Sequence, residues 1–124
     1  MSDNEQQASA TVALVDVYAI NDNNNVFLTV QGSDNDSCVS DVEVPGNFHE
    51  GDIVGSLTRN LGPGSDLKGK TLTVTSLVAE LSGDNDTSMK LILTGGPSDF
   101  SHTSEKSVAG TGDSVLYTAD IVFI

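Results

Sequence analysis

Residues 11–32 read TVALVDVYAINDNNNVFLTVQG, and residues 71–95 read TLTVTSLVAELSGDNDTSMKLILTG. Each stretch is a run rich in β-branched residues, then a polar turn crowded with Asp and Asn, then a second such run that ends at glycine. Val, Ile and Thr favour strands, whereas Asn and Asp favour turns. The repeated pattern predicts two antiparallel hairpins, in two halves of one domain, related by internal pseudo-symmetry.

The rest of the chain fits the same class. No apolar period of 3.6 residues runs for a useful length, so no substantial helix is predicted. We predict an all-β fold, a single-domain antiparallel β-sandwich over residues 10–124 of jelly-roll or immunoglobulin-like type. Residues 1–9 are polar and acidic, which predicts a disordered N-terminal tail. Residues 100–114 are predicted to form a long loop or a weak edge strand.

The alternation in Thr71–Thr75 predicts which face of that strand is buried. Leu72 and Val74 alternate with three threonines, so the two apolar side chains are expected to face the core. A similar argument applies to Cys38, the single cysteine. It has no basic neighbour in sequence that would lower the pKa of its thiol, so we interpret it as structural rather than nucleophilic.

The charge balance limits the partners. The chain has 18 acidic residues against 5 basic ones, and Arg59 is its single arginine. Affinity for nucleic acid comes mostly from Lys and Arg that neutralise phosphates. We therefore expect neither nucleic acid nor an anionic membrane as a partner. The charge itself is explained either by solubility through self-repulsion or by adaptation to high salt, which would screen that repulsion.

The N-terminal residues MSDNEQQASA lack the charged start and apolar core of a signal peptide. No apolar run approaches the roughly 20 residues that span a bilayer. These observations predict a soluble protein that is kept in a cytoplasm or packaged into a particle assembled there.

Three loops are rich in Asp and Asn, at residues 21–25, 34–36 and 84–86. Calcium takes six to eight oxygen ligands of the kind these side chains offer. Ordinary turns are the alternative explanation, because Asn and Asp are the favoured turn residues, and none of the loops fits the EF-hand pattern. The candidate calcium ligands are Asp34, Asp36, Asp84, Asp86 and Asp99.

Strand direction restricts how these ligands could combine. The loop at 34–36 follows the return strand of the first predicted hairpin, so it should lie at the opposite end from the tip at 21–25. We expect a joint site to combine Asp34 and Asp36 with Asp99, which follows the return strand of the second hairpin, or else no joint site to exist.

Motifs for catalysis are not found. His49 and His102 have no spacing typical of a zinc site. The segment from Gly64 to Thr71 carries the letters of a phosphate-binding loop, but an alternating strand follows it where that loop requires a helix. We therefore predict no enzyme activity, and calcium is the one cofactor considered.

The C-terminal residues 119–124, ADIVFI, are apolar up to the last position. Chain ends are usually polar, so these apolar side chains are expected to be buried against other parts of the protein or against a partner. Two interpretations are open: a central strand covered on both faces, or a strand whose outer face is covered by a second subunit. In the second case Ile121, Phe123 and Ile124 form the interface of a homo-oligomer.

The leading functional hypothesis is a non-catalytic structural or assembly protein that self-associates, for instance a subunit of a virus particle or of another cytoplasmic assembly. It depends on the apolar C-terminus and on the lack of catalytic motifs. The alternative is a calcium-dependent, lectin-like binding module for glycans or another surface ligand. Because Trp is absent, sugar binding would run through a bridging cation and through Asp and Asn hydrogen bonds.

Overall fold

The computed structural model describes residues 10–124, and the predicted disordered tail at 1–9 lies outside them. The described chain is all-β, as predicted. Its strands are β1 (Ala10–Tyr18), β2 (Asn25–Gly32), β3 (Ser37–Val44), β4 (Phe48–Val54), β5 (Leu57–Pro63), β6 (Thr71–Ala79), β7 (Asp86–Thr94), β8 (Phe100–Ser107) and β9 (Ser114–Phe123). One short helix, α1 (Gly64–Leu67), connects β5 to β6.

The strands form two sheets that pack face to face as a β-sandwich. Sheet A has the order β1-β9-β6-β3-β4, and sheet B has the order β5-β2-β7-β8. Neighbouring strands are antiparallel in both sheets with one exception: β1 runs parallel to β9, from Ala10 opposite Val115 to Tyr18 opposite Phe123. The prediction of a purely antiparallel sandwich is therefore wrong for this pair.

The core lies between the sheets and is built by alternation along the strands. In β6 the side chains of Leu72, Val74 and Val78 face inward and are fully buried, as the sequence predicts for the first two. Tyr117 and Phe123 of β9 are the largest fully buried side chains. Alternating strands buried on one face are the expected way for two sheets to share a core about 10 Å thick.

The predicted hairpins are wrong. β1 lies in sheet A and β2 in sheet B, and β6 and β7 are divided in the same way. A buried residue lies near the start of each connection: Ile20, two residues after the end of β1, and Glu80, directly after β6. The Ile20 N–H donates to the Ile124 carbonyl at 3.1 Å, and the Glu80 N–H donates to the Asp113 carbonyl at 2.8 Å. Each connection thus crosses the end of the core instead of folding back beside its own strand.

The true hairpins join other neighbours. β3 pairs with β4, and β7 pairs with β8, each in antiparallel register. β8 is one of the two edge strands of sheet B, so the edge-strand alternative for residues 100–114 is confirmed over Phe100–Ser107, and a loop follows it.

Loop positions follow from these pairings. β2 and β7 are antiparallel, with Gly32 opposite Met89, so the end of β2 meets the start of β7. We use the name acidic end for the three loops gathered there, residues 33–36, 80–85 and 108–113. Three backbone hydrogen bonds join the last two loops: the Val108 N–H donates to the Asn85 carbonyl, the Gly112 N–H donates to the Glu80 carbonyl, and the Glu80 N–H donates to the Asp113 carbonyl.

Candidate functional site

Three of the predicted calcium ligands line one cleft at the acidic end. Asp34 comes from the loop after β2, Asp84 from the loop 80–85, and Asp86 is the first residue of β7. The cleft has a volume of about 370 Å³, and its wall on the β8 side carries Glu105 and Lys106. The remaining lining residues are small and polar: Ser33, Thr87, Ser88 and Ser107.

Asp36 performs a structural task in the same region. Its Oδ1 accepts hydrogen bonds from the backbone N–H groups of Leu81 at 3.0 Å and Ser82 at 3.3 Å. Its Oδ2 accepts the Ser33 hydroxyl at 2.5 Å. The carboxylate therefore ties the loop after β2 to the loop after β6, because a carboxylate can satisfy several backbone donors at once.

Asp84, just before β7, and Asp86, its first residue, also have local partners. The Asp84 carboxylate accepts the Asp86 N–H at 2.9 Å, and this bond, with a contribution from the Ser82 hydroxyl, lowers the pKa of Asp84. Asp86 accepts the Ser107 hydroxyl at 2.7 Å, across the pair β7–β8. Hydrogen bonds to a carboxylate favour its charged form, so Asp84 keeps its negative charge into more acid solution than a free aspartate.

Glu80 is a buried acidic residue next to the cleft loops that sequence reasoning missed. It is fully buried beneath the loop 80–85, and its Oε2 accepts the Ser82 hydroxyl at 2.8 Å and the Gly83 N–H at 2.7 Å. Its Oε1 has no hydrogen-bond partner among the described residues. A buried polar atom without a partner costs free energy. The signal that could have predicted this burial is alternation, because Glu80 continues the inward-facing positions 72, 74, 76 and 78 of β6.

Asp99 lies at the other end of the sandwich. The preceding Ser98 accepts the Tyr18 hydroxyl at 2.7 Å, next to the end of β1. At about 3.3 Å per residue, β7 separates Asp86 from Thr94 by roughly 26 Å. The expected joint site of Asp34 and Asp36 with Asp99 is therefore not formed, because the loop after β2 meets the start of β7 and not its end.

Within residues 10–124, no group of three or more Asp, Glu, His or Cys side chains has the arrangement of a metal centre. The acids of the cleft are close enough to line one cavity but are not gathered around one point. Calcium binding by Asp34, Asp36, Asp84, Asp86 or Asp99 stays a prediction.

The three residues predicted to form an interface differ in exposure. β9 lies inside sheet A between β1 and β6, and Ile121 and Phe123 are fully buried in the core of their own chain. Their side chains are therefore not available to a second subunit in this fold. Ile124, which is 53% exposed, is the member of the set that presents apolar surface.

Two further sequence interpretations agree with the structure. Cys38 is buried, and this burial raises the pKa of its thiol against the smaller opposing effect of a Ser40 hydrogen bond. A raised pKa leaves less thiolate, the nucleophilic form. In the glycine-rich segment, β6 begins at Thr71 directly after Lys70, so a strand follows where a phosphate-binding loop would need a helix.

The outer face of sheet A carries an apolar row. Strand register places Val54 of β4 beside Val39 of β3, Val39 beside Leu77 of β6, and Leu77 beside Leu116 of β9. All four side chains point away from the core, because their neighbours along each strand are buried. We call these four residues the outer row. Val54 is 80% exposed, and the other three are partly buried against one another.

Comparison of the chain with protein-family models, with curated proteins and with solved structures gives no match. Among residues 10–124, no helix is long and apolar enough to cross a membrane. Two features of the molecule itself bear on function, the cleft at the acidic end and the outer row.

Proposed function

We propose that this protein is a non-catalytic structural protein that self-associates, as a subunit of a virus particle or of another cytoplasmic assembly. The observation that carries the proposal is the outer row. In a two-layer sandwich the outer face of an antiparallel sheet is normally polar, because water covers it. Here four apolar side chains lie side by side across four strands of that face.

The physical argument is burial. Covering apolar surface contributes roughly 25 cal/mol per Å² removed from water. Contiguous apolar surface rimmed by polar residues is typical of interaction sites. The outer row meets this description, since the polar pair of Asp41 and Thr75 lies next to it on the same face, two residues after Val39 in β3 and two residues before Leu77 in β6.

Charge gives the proposal a distinctive salt dependence. At neutral pH the formal net charge is −13, so two copies repel each other. The Debye length falls from about 30 Å at 0.01 M salt to about 8 Å at 0.15 M. Self-association through apolar contacts should therefore strengthen as salt is added, whereas association through ion pairs would weaken.

Sedimentation velocity, measured from micromolar to millimolar protein at low and at high salt, tests the proposal. We expect the weight-average sedimentation coefficient to rise with concentration and to rise more steeply at high salt. A single monomeric species under all of these conditions would contradict self-association.

Calcium-dependent binding of a glycan or another surface ligand is the second candidate function. The observation that favours it is the cleft that Asp34, Asp84 and Asp86 share. A cation that binds only the folded state must stabilise it, by about 2.7 kcal/mol at a concentration of 100 Kd.

Thermal melting with calcium and with a chelator tests this candidate. We expect calcium to raise the Tm of the wild type and to have a smaller effect on Asp84→Asn. Asp99→Asn is the matched control, because it removes one exposed carboxylate at the opposite end of the sandwich. An identical Tm with calcium and with chelator would contradict calcium binding and would indicate that the loops are ordinary turns.

A further inference from the structure

The two sheets of the sandwich differ in charge. The five strands of sheet A contain six acidic residues and no Lys or Arg. The four strands of sheet B contain two acidic residues and three basic ones, Arg59, Lys90 and Lys106. Among the face-to-face contacts that two copies can make, charge therefore favours sheet A of one copy against sheet B of the other.

Carboxylates lie on the same outer face of sheet A as the outer row. Asp41 and Glu43 follow Val39 along β3 and point outward, and Asp120 points outward from β9. A contact between two such faces would gather three carboxylates from each copy, with no Lys or Arg from any strand of the sheet. Like charges that meet in an interface cost free energy. A second sheet A is therefore a poor cover for the outer row.

The outer face of sheet B offers a surface of different charge. Its two central strands, β2 and β7, form three outward-facing pairs there, between positions that are buried in the core. We call these six residues the platform: Phe27 with Thr94, Thr29 with Ile92, and Gln31 with Lys90.

Lys90 is the single charged residue of the platform. The other charged side chains of sheet B lie away from it. Arg59 is paired with Glu50 of β4, and the remaining three line the cleft at the acidic end: Asp86, Glu105 and Lys106. The platform therefore presents one positive charge to a partner.

The platform also has apolar surface that a partner can cover. Phe27 is 41% exposed, and Ile92 is partly buried between its strand neighbours. Beside them the Thr29 hydroxyl lies 3.1 Å from the Thr58 hydroxyl of β5. Because a hydrogen-bonded hydroxyl loses less on leaving water than an unpaired one, this pair lowers the cost of covering the face.

The two faces have the same spacing between an apolar and a charged side chain. Val39 and Asp41 are two residues apart on β3, and Ile92 and Lys90 are two residues apart on β7. Two residues of strand span roughly 7 Å, and their side chains point to one face. When Ile92 of one copy lies on Val39 of another, Lys90 can therefore lie at Asp41.

We propose that the outer row of one copy packs on the platform of a second copy, with Lys90 facing the carboxylates of sheet A. This inference rests on the proposed self-association and names the second surface of its contact. The contact joins two different surfaces, so a pair of copies keeps one free outer row and one free platform. Repetition gives an open stack of sandwiches, or a ring if the rotation between copies closes.

Mixing two blocked variants tests the inference. Leu77→Glu adds a negative charge to the outer row, and Phe27→Glu adds one to the platform. In sedimentation velocity each variant alone should be monomeric, since self-association needs both surfaces. An equimolar mixture should form a 1:1 heterodimer and nothing larger, because Leu77→Glu keeps its platform and Phe27→Glu keeps its outer row.

The outcomes separate this inference from the proposed self-association. A monomeric wild type would overturn self-association itself. If the wild type associates, continued association of either variant alone would overturn the contact between outer row and platform. A mixture of two monomeric variants that forms no heterodimer would overturn it as well. Should circular dichroism show that a variant is unfolded, Val54→Glu replaces Leu77→Glu, and Lys90→Glu replaces Phe27→Glu.

Lys90→Glu tests the charge pairing, with Lys68→Glu as its matched control. Both substitutions make the net charge more negative by the same amount, and Lys68 lies between α1 and β6, outside both faces. At low salt we expect Lys90→Glu to raise the dissociation constant at least about tenfold, a change of about 1.4 kcal/mol, and Lys68→Glu to have a clearly smaller effect. The difference should shrink at high salt, which screens the pairing. Equal effects of the two variants would overturn the contact at Lys90.

Discussion

The hydroxyl of Tyr117 lies 2.7 Å from the hydroxyl of Thr87, inside the core, and joins β9 of sheet A to β7 of sheet B. The Thr87 hydroxyl in turn donates to the Lys106 carbonyl at 2.8 Å. The Tyr117 O–H is therefore the donor of the first bond. The two buried hydroxyls form a short relay that ends on the backbone of β8.

This order of donors predicts unequal effects of two substitutions. Tyr117→Phe removes the first donor but leaves Thr87 bonded to Lys106, so the free energy of unfolding should fall by about 0.5–1.5 kcal/mol. Thr87→Val leaves the Tyr117 hydroxyl buried without a partner, which should cost about 1–3 kcal/mol. Urea denaturation of both variants measures the difference, and a larger loss in Tyr117→Phe would contradict the assigned direction.

The ion pair between Glu50 of β4 and Arg59 of β5 joins an edge strand of sheet A to an edge strand of sheet B. It is bidentate, with Nε to Oε1 at 2.7 Å and Nη2 to Oε2 at 3.0 Å, and it lowers the pKa of Glu50. A lowered folded-state pKa stabilises the fold above the unfolded glutamate pKa of about 4.3, and this contribution is lost as pH falls through the folded-state value.

We therefore expect Arg59→Gln to lower the Tm at neutral pH and to have a shrinking effect as the solution is acidified below that range. Thermal melts across the acid range measure this dependence. Lys68→Gln is the control, because the Lys68 ammonium lies 3.9 Å from Asp22 and both are well exposed. An Arg59→Gln effect that does not change with pH would show that packing, and not the ion pair, is responsible.

Gly95 and Gly62 distinguish two costs of replacing a glycine, that of an unfavourable backbone conformation and that of a close steric contact. Both have φ near +109°, which disfavours any other residue. A Cβ at Gly95 would lie 2.1 Å from the Asn25 carbonyl oxygen, whereas nothing lies within 4 Å of a Cβ at Gly62. Gly95→Ala should therefore cost about 1–3 kcal/mol more than Gly62→Ala, as expected for overpacking. Equal losses by chemical denaturation would contradict the close approach.

The burial of Cys38 predicts a protected thiol. Because burial raises its pKa and limits access, a thiol-specific reagent should react slowly with the native protein and rapidly in denaturant. Val54→Cys in the same chain provides an exposed thiol for comparison. If Cys38 in the native protein reacted as fast as the cysteine at position 54, the core around it would have to open readily.

The buried carboxyl group of Glu80 predicts that its role as a hydrogen-bond acceptor is required for stability. Glu80→Gln keeps an oxygen for the Ser82 hydroxyl and the Gly83 N–H, so it should lower the free energy of unfolding less than Glu80→Ala does. Glu80→Ala leaves the Gly83 N–H without its acceptor and should cost about 1–3 kcal/mol. Similar losses in both variants would indicate that the carboxyl group itself is required.

The acidic loops and the outer row show which parts of the candidate site could be predicted from the sequence. Asp34, Asp84 and Asp86 could be identified from composition, but their meeting in one cleft depends on the antiparallel pairing of β2 with β7. The outer row was detectable only in part. Alternation gives the outward direction of Leu77, whereas its neighbours Val39 and Leu116 follow from the strand order.

The sequence by itself determined the all-β class, the strand alternation and the positions of most turns, because these depend on local residue preferences and on a side-chain period of two. Tertiary structure decided which strands are neighbours. The connection between Tyr18 and Asn25 is long enough either to close a hairpin or to cross the roughly 10 Å between sheets. Burial of Ile20 at the end of the core selects the crossing, and β1 then joins β9 in parallel, since alternation specifies the buried face of a strand and not its partner.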